Sequence, residues 1–459
     1  MVFPLPLVPF EYYMLADDRP RHPMSFFIRL VFDGHFQRPA FEASLERALE
    51  RHPLLRAVVR SAGGRRMQWV AAEQQRASVC WRCGDRAAED QVFTGIDLQR
   101  DPGLRIVVRE NDDDDDHNSD VLWQFHHACC DGLGAMRFIE DVLAEYHRQC
   151  DQTDSARALR PIDPQRLRHR GRFGLTPIKR LLRLPLAAVH LHGLYQYSSH
   201  RAAPLPCSDG LPAEGAGVDL PPTVFPAFCR HTLSAEQTQR FRRAASELGV
   251  TVNDLLLRDL LLALRDFCGD VDEGNYLRIM VPVNMRTAAD GHLPAANVVS
   301  MVSAERLPGD LDDPQRALEL VRLRMNKVKR YRLGLTLIHM LEIVGKWPGG
   351  IPWLLRDGRT RATTVMSNMA DPTGQFALPR RDGYVVAGDV TLRRVEVLPP
   401  LRPLTRATFG IVTYVGRLTI TLHHDPRCIT SADAERLLGH FVRRIEESAA
   451  AETVAGAGG

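Results

Sequence analysis

Residues 125–139 read FHHACCDGLGAMRFI, and the change of pattern inside this run decides how the chain folds. Upstream, VLWQFH (121–126) is a compact apolar stretch of strand length. Downstream of Gly132 the apolar residues fall at Leu133, Met136, Ile139, Leu143 and Tyr146, on one face of a helix that would rest against a sheet. A strand therefore hands over to a helix at Asp131-Gly132, where the missing Cβ of glycine permits a tight turn. In an extended strand His126 and His127 point to opposite sides, so one of them at most faces a given cleft.

Working outward, SFFIRLVFDG (25–34) reads as a strand and turn, residues 38–51 as a helix, and HPLLRAVVR (52–60) and LRIVVR (104–109) as strands. NDDDDDHNSD (111–120) is polar enough for an exposed loop, and Asp112–Asp116 lacks the alternating ligands and glycine of a calcium loop. Residues 1–150 thus form an α/β unit. A basic and apolar stretch broken by Pro177 and Pro185 follows, then a linker-like SDGLPAEGAGVDLPP (208–222), which puts a boundary near 210.

The second half repeats the mixed pattern. Residues 234–247 read as a helix, and Thr251 with Asp254 as a capping box for a leucine-rich buried helix. Residues 276–283, 297–303, 362–368 and 409–424 read as strands, and Thr430 with Asp433 caps a final helix. His423 and His424 mark the turn before Asp425-Pro426.

A length of 459 residues favours two domains. A net charge of +3 gives no reason to expect a nucleic-acid partner. Nine cysteines are too sparse for a disulfide scaffold, and the N-terminus makes a poor signal peptide. No stretch reaches the roughly 20 apolar residues needed to span a bilayer. These features point to the cytoplasm. The basic segment around Arg166–Arg183 suits an anionic surface such as a membrane, and equally an ordinary solvated helix face.

Chemically, a histidine at a strand end is either a buried, hydrogen-bonded side chain or a general base, and Asp131 is either an N-cap or a brace that needs an arginine from elsewhere. Cys129 and Cys130 would suggest a thiol hydrolase only if one of them met His127 in space. Cys80 and Cys83 form a lone CxxC, a weak zinc signal, and the crowded His126, His127, Cys130 and Asp131 do not converge easily on a metal.

HHACCDG resembles the HHxxxDG motif of the CoA-dependent acyltransferase superfamily, which includes chloramphenicol acetyltransferase, condensation domains and the wax ester synthase/diacylglycerol acyltransferases. RHPLLRAVV (51–59), TVNDLLL (251–257), VPVNMR (281–286), NVVS (297–300), MSNMADP (366–372) and YVGRLTITLHHDP (414–426) are similar to further family segments, in matching order. The resemblance implies an α/β (α+β) fold of two chloramphenicol-acetyltransferase-like halves, 1–210 and 211–459, each a mixed sheet with helices, around a central tunnel. Within the catalytic motif it implies His127 as base and Asp131 as a structural member paired with Arg286, with His126 and Gly132 in support. Ser367 or Asn368 would serve an oxyanion, and Asn253 would line the tunnel or brace its helix start. No metal or bound cofactor is implied. The co-substrate would be acyl-CoA or an acyl-phosphopantetheine on a carrier protein, and the acceptor an alcohol or amine. The alternative is a non-catalytic member that binds an acyl chain or a carrier protein.

Overall fold

The structure, a computed structural model, describes residues 2–63, 66–72, 77–83, 95–113, 116–150, 159–176, 178, 184–211, 226–269, 271–272, 274–356 and 358–455. Two seven-stranded mixed sheets with helices form two similar halves. The first sheet runs, edge to edge, Arg380–Arg381, Tyr384–Ala387, Val390–Leu398, Ser25–Asp33, Asp116–His126, Leu104–Asp113, Ser78–Cys83. The second runs Val299–Arg306, Asn275–Asn284, Thr364–Asn368, Ala407–Tyr414, Arg417–His424, Phe228–Thr232, with Arg201–Ala202 beside Asn275.

Helix Gly132–Cys150 packs on helix Arg38–Arg51 in the first half, burying Met136, Ile139, Leu143 and Tyr146. Leu133, expected on that inward face, is 38% exposed, because the first turn of the helix borders a cavity. In the second half, helix Val252–Cys268 is buried nearly all round and packs against Ser431–Ala455. Thr251 and Asp254 form the reciprocal cap: Asp254 N donates to Thr251 Oγ1 (3.2 Å) and Thr251 N to Asp254 Oδ2 (3.1 Å).

Several elements differ from the local pattern. Pro53 fixes φ and lacks an N–H, so HPLLRAVVR begins as a 3₁₀ turn, Pro53–Arg56, before the strand Ala57–Ser61. The polar run at 111–120 is not a loop. Its backbone continues the hairpin, pairing Glu110 with Ser119 and Asp113 with Asp116, since a ladder at a hairpin tip needs no apolar side chains. The side chains of 111–117 and of Cys83 lie outside the described residues, as do most of the linker and residues 212–225 beyond the boundary near 210. Residues 409–424 are two strands joined at Val415-Gly416, both at positive φ (46° and 72°), as a two-residue I′ hairpin requires.

Val390–Leu398, although late in the chain, inserts beside Ser25–Asp33 in the first sheet and packs on the second-sheet strand Ala407–Tyr414. This strand ties the halves together. Gly410 sits at the contact: a Cβ there would lie 1.9 Å from the Val397 carbonyl oxygen and 2.7 Å from Thr421 Oγ1. Gly410→Ala is therefore expected to destabilise the fold by about 3 kcal/mol or more, since backbone cannot move aside as a side chain can. A urea midpoint equal to that of the wild type would contradict this packing.

Candidate active site

The handover at 126–132 places the two histidines differently. His126 is fully buried; its Nδ1 accepts from Ala128 N (3.1 Å), and its Nε2 lies 3.5 Å from Asp18 Oδ2. His127 is partly exposed, into a cavity between the halves. Its backbone is held at both ends: its N–H donates to Met24 O (2.7 Å), and Asn297 Nδ2 donates to its carbonyl (2.6 Å). The ring meets Phe26 edge-on at 5.0 Å. Nδ1 is sealed inside the protein, which leaves Nε2 as the nitrogen that reaches the cavity. Burial lowers the pKa of His127 below the ordinary 6.5, and neighbouring His126 adds to this; its own backbone carbonyl and Asp131 oppose. The ring is therefore neutral at pH 7, with a free lone pair.

Asp131 and Arg286 meet across the halves. Arg286 Nη1 donates to Asp131 Oδ2 (2.8 Å) and Nη2 to Oδ1 (2.9 Å), a bidentate pair. Asp131 also accepts from Gly134 N and Val298 N, each at 2.8 Å. Burial alone would raise its carboxyl, but the guanidinium and the two amides outweigh it and hold the pKa below the model-peptide range. Arg286 Nη2 further donates to Ala296 O (3.0 Å), so this one side chain fixes the turn after His127 to the 284–298 segment of the other half. Gly132 passes close to Met369, whose Sδ would lie 2.9 Å from an added Cβ.

Ser367 and Asn368 line the same cavity as His127, whereas Asn253 stands behind, its Oδ1 3.4 Å from Asn368 Nδ2. Asn297, which fixes the His127 carbonyl, has no signal in the sequence beyond its place in the NVVS segment.

The cysteine reading fails. Cys129 and Cys130 are fully buried, outside the cavity wall, and burial raises both thiols far above the range of a nucleophile. Among the described residues no three His, Cys, Asp or Glu side chains gather as a metal site. The basic segment is partly structural too. Arg170 is buried and paired with Glu11 at 2.5 and 2.7 Å, which takes it out of any basic surface. His423 and His424 end the strand Arg417–His424 just before the turn that follows Asp425, as expected, and both are buried there, with His423 Nδ1 2.7 Å from Pro399 O.

The cavity measures about 340 Å³. Met14, Met24 and Phe26 line it from the first half, and Met280, Pro282 and Met301 from the second. Beside it opens a second cavity of about 660 Å³, which shares Tyr13, Tyr197, Arg361 and Arg402 with the first. Arg19, Arg356, Arg359 and Arg406 add to its wall, against Asp17 and Asp425 as its acids. An apolar chamber with a reachable imidazole thus adjoins a cationic one. Among the described residues no helix is long and apolar enough to cross a membrane.

Two family models match the chain: the condensation domain over residues 17–159, and the phthiocerol/phthiodiolone dimycocerosyl transferase C-terminus over 222–322. No curated protein matches in sequence. Among solved structures, the first condensation domain of the calcium-dependent antibiotic synthetase, with a substrate analogue, is similar at TM-score 0.70 and 15% identity, covering 98% of this chain and 97% of that one. The starter condensation domain of rhizomide synthetase, in complex with C8-CoA, gives 0.65 and 15%, covering 97% and 94%. The trichothecene 15-O-acetyltransferase of Fusarium sporotrichioides gives 0.66 and 12%, covering 96% and 95%. At these identities the likeness is one of fold, and reaction must be argued from the site.

Proposed function

The chain belongs to the superfamily of condensation domains and CoA-dependent acyltransferases, and we propose that it moves an acyl group from a thioester to an alcohol, with His127 as general base. The observation that carries this reading is an imidazole whose one accessible nitrogen, Nε2, opens into an apolar cavity between the halves. An alcohol is favoured over an amine because one matching family model is described as a dimycocerosyl transferase and one structural neighbour as an O-acetyltransferase.

In this proposal Nε2 takes the acceptor proton as the hydroxyl oxygen attacks the thioester carbonyl. A C–O bond forms and a tetrahedral oxyanion develops. The intermediate collapses, the C–S bond breaks, and the imidazolium returns its proton to the departing thiolate. Both substrates are held at once, so no acyl-enzyme is needed. Ser367 or Asn368 is assigned to the oxyanion, a contribution of about 3–4 kcal/mol for one well-placed donor. Asp131 and Arg286 hold the loop and touch neither substrate. The arginine-lined chamber next to the cavity suits the phosphates of coenzyme A or phosphopantetheine, as does the C8-CoA complex reported for one neighbour.

The test is thiol release from octanoyl-CoA with a long-chain alcohol, followed against pH. The folded pKa of His127 lies below 6.5, so the base is neutral above that value and is lost only as pH falls through the lowered one. The acid limb of kcat/KM is expected to have its midpoint below 6.5. A midpoint at or above 6.5 that vanishes in His127→Ala would contradict the buried environment, and no thiol release at any pH would count against transfer.

A further inference from the structure

The floor of the His127 cavity is one face of the second sheet. Asn284, Pro282 and Met280 alternate along one strand, and antiparallel to them lie Val299, Met301 and Ser303. Near Asp131, whose carboxylate accepts from Val298 N, the floor is met by Asn284 and Val299. Four residues further, about 14 Å along the strands, it reaches Met280 and Ser303. Between these ends the floor is apolar.

At the far end a cation is waiting. Arg324, from helix Pro314–Tyr331, lines the cavity and rests on Ser303, donating from Nε to Ser303 O (2.9 Å) and from Nη2 to Ser303 Oγ (3.3 Å). Its Nη1 has no partner among the described residues, and no carboxylate comes within ion-pair distance of it there. The nearby acid, Glu305, is already bound by Arg278 and by His200, at 2.7 Å from His200 Nδ1. Glu305 is thus committed to partners other than Arg324, on which it acts only at a distance. Burial lowers the Arg324 pKa, as expected of a cation lacking its own counter-ion. The arginine-lined chamber is reached by Arg361, just before strand Thr364–Asn368, and strand Asn275–Asn284 runs between that strand and the one that carries Ser303, on which Arg324 rests.

We infer that Arg324 and Ser303 form a subsite for a carboxylate at the tip of an elongated, otherwise apolar substrate, at the end of the floor about 14 Å along the strands from Asn284 and Val299. This rests on the reading of the cavity as the substrate site, but not on turnover. It distinguishes a carboxylate-tipped acyl chain or acceptor from a methyl-ended one, and leaves the thioester arm to the cationic chamber.

Binding of octanoate and of 1-octanol, which has the same chain length and no charge, to the whole protein, by isothermal titration calorimetry, tests it. Wild type is expected to bind octanoate about tenfold or more tightly than 1-octanol, as one charge-assisted hydrogen bond implies. Arg324→Gln should abolish that ratio while leaving 1-octanol binding and the melting temperature near wild type. Arg324→Lys, which keeps the charge, should retain most of the preference and carries the test if the glutamine variant does not fold. Equal affinity of wild type for the two ligands overturns the proposal. So does an Arg324→Gln protein that keeps the octanoate preference, or one that loses binding of 4′-phosphopantetheine instead, which would put Arg324 in the thioester channel. Because neither probe is a thioester, a protein without acyltransferase activity can still pass or fail.

Discussion

His127→Ala is expected to lower kcat/KM for thioester-to-alcohol transfer by roughly 10²–10⁴-fold, the range for removing a positioned general base. The expectation follows from how little else faces the reacting atoms. Of the ionisable side chains next to His127 in sequence or in the turn that follows, Asp131 and Arg286 are spent on each other, and Cys129 and Cys130 are buried outside the cavity wall. The fold should barely change. His127 is anchored through its backbone N–H and carbonyl, contacts that alanine keeps, and its ring contributes mainly the edge contact with Phe26. A loss of activity at unchanged melting temperature is therefore the expected result of steady-state kinetics and calorimetry together. Wild-type kcat/KM in the alanine variant would remove His127 from the mechanism.

The second large effect is on stability. Asp131→Asn should cost about 3–5 kcal/mol, because it leaves Arg286, only 15% exposed, beside a neutral amide where a carboxylate had compensated it. Arg286→Ala should do similar damage from the other side, since Asp131 would keep only the Gly134 and Val298 amides. The double variant should lose much less than the sum, as the pair is a single unit. Chemical denaturation of the four proteins measures the coupling, and additive losses would show that the ion pair does not form in solution. Protons compete with the same pair. Its carboxyl lies below the unfolded 3.8, so this contribution is complete above that pH and fades as pH falls through the lowered value. Activity should fall along with stability in both single variants, because the pair fixes the turn that carries His127.

How far the sequence reveals this site depends on the range of each contact. The strand-to-helix handover at Gly132, the opposed directions of His126 and His127 and the caps at Thr251 and Thr430 are local, governed by residues within a turn or two, and are visible as spacing. Arg286 lies 155 positions from Asp131, and only the likeness of VPVNMR to a family segment pointed to it. Asn297 is marked only by its place in the NVVS segment, and Arg324 by nothing. One holds His127 through a backbone carbonyl and the other faces a cavity whose walls come from distant strands. The insertion of Val390–Leu398 beside Ser25–Asp33 is equally unreadable, for a strand shows its alternation but not its neighbour. The polar hairpin at 104–126 misled for a related reason: backbone pairing continued where side-chain pattern had stopped.

The central claim is that a thiol leaves only as an ester forms. Free thiol and new ester should therefore be quantified together, with octanoyl-CoA and a panel of alcohols as substrates. One ester per thiol released is the predicted result. Thiol release without ester, or neither product from a well-folded protein across the panel, would contradict it.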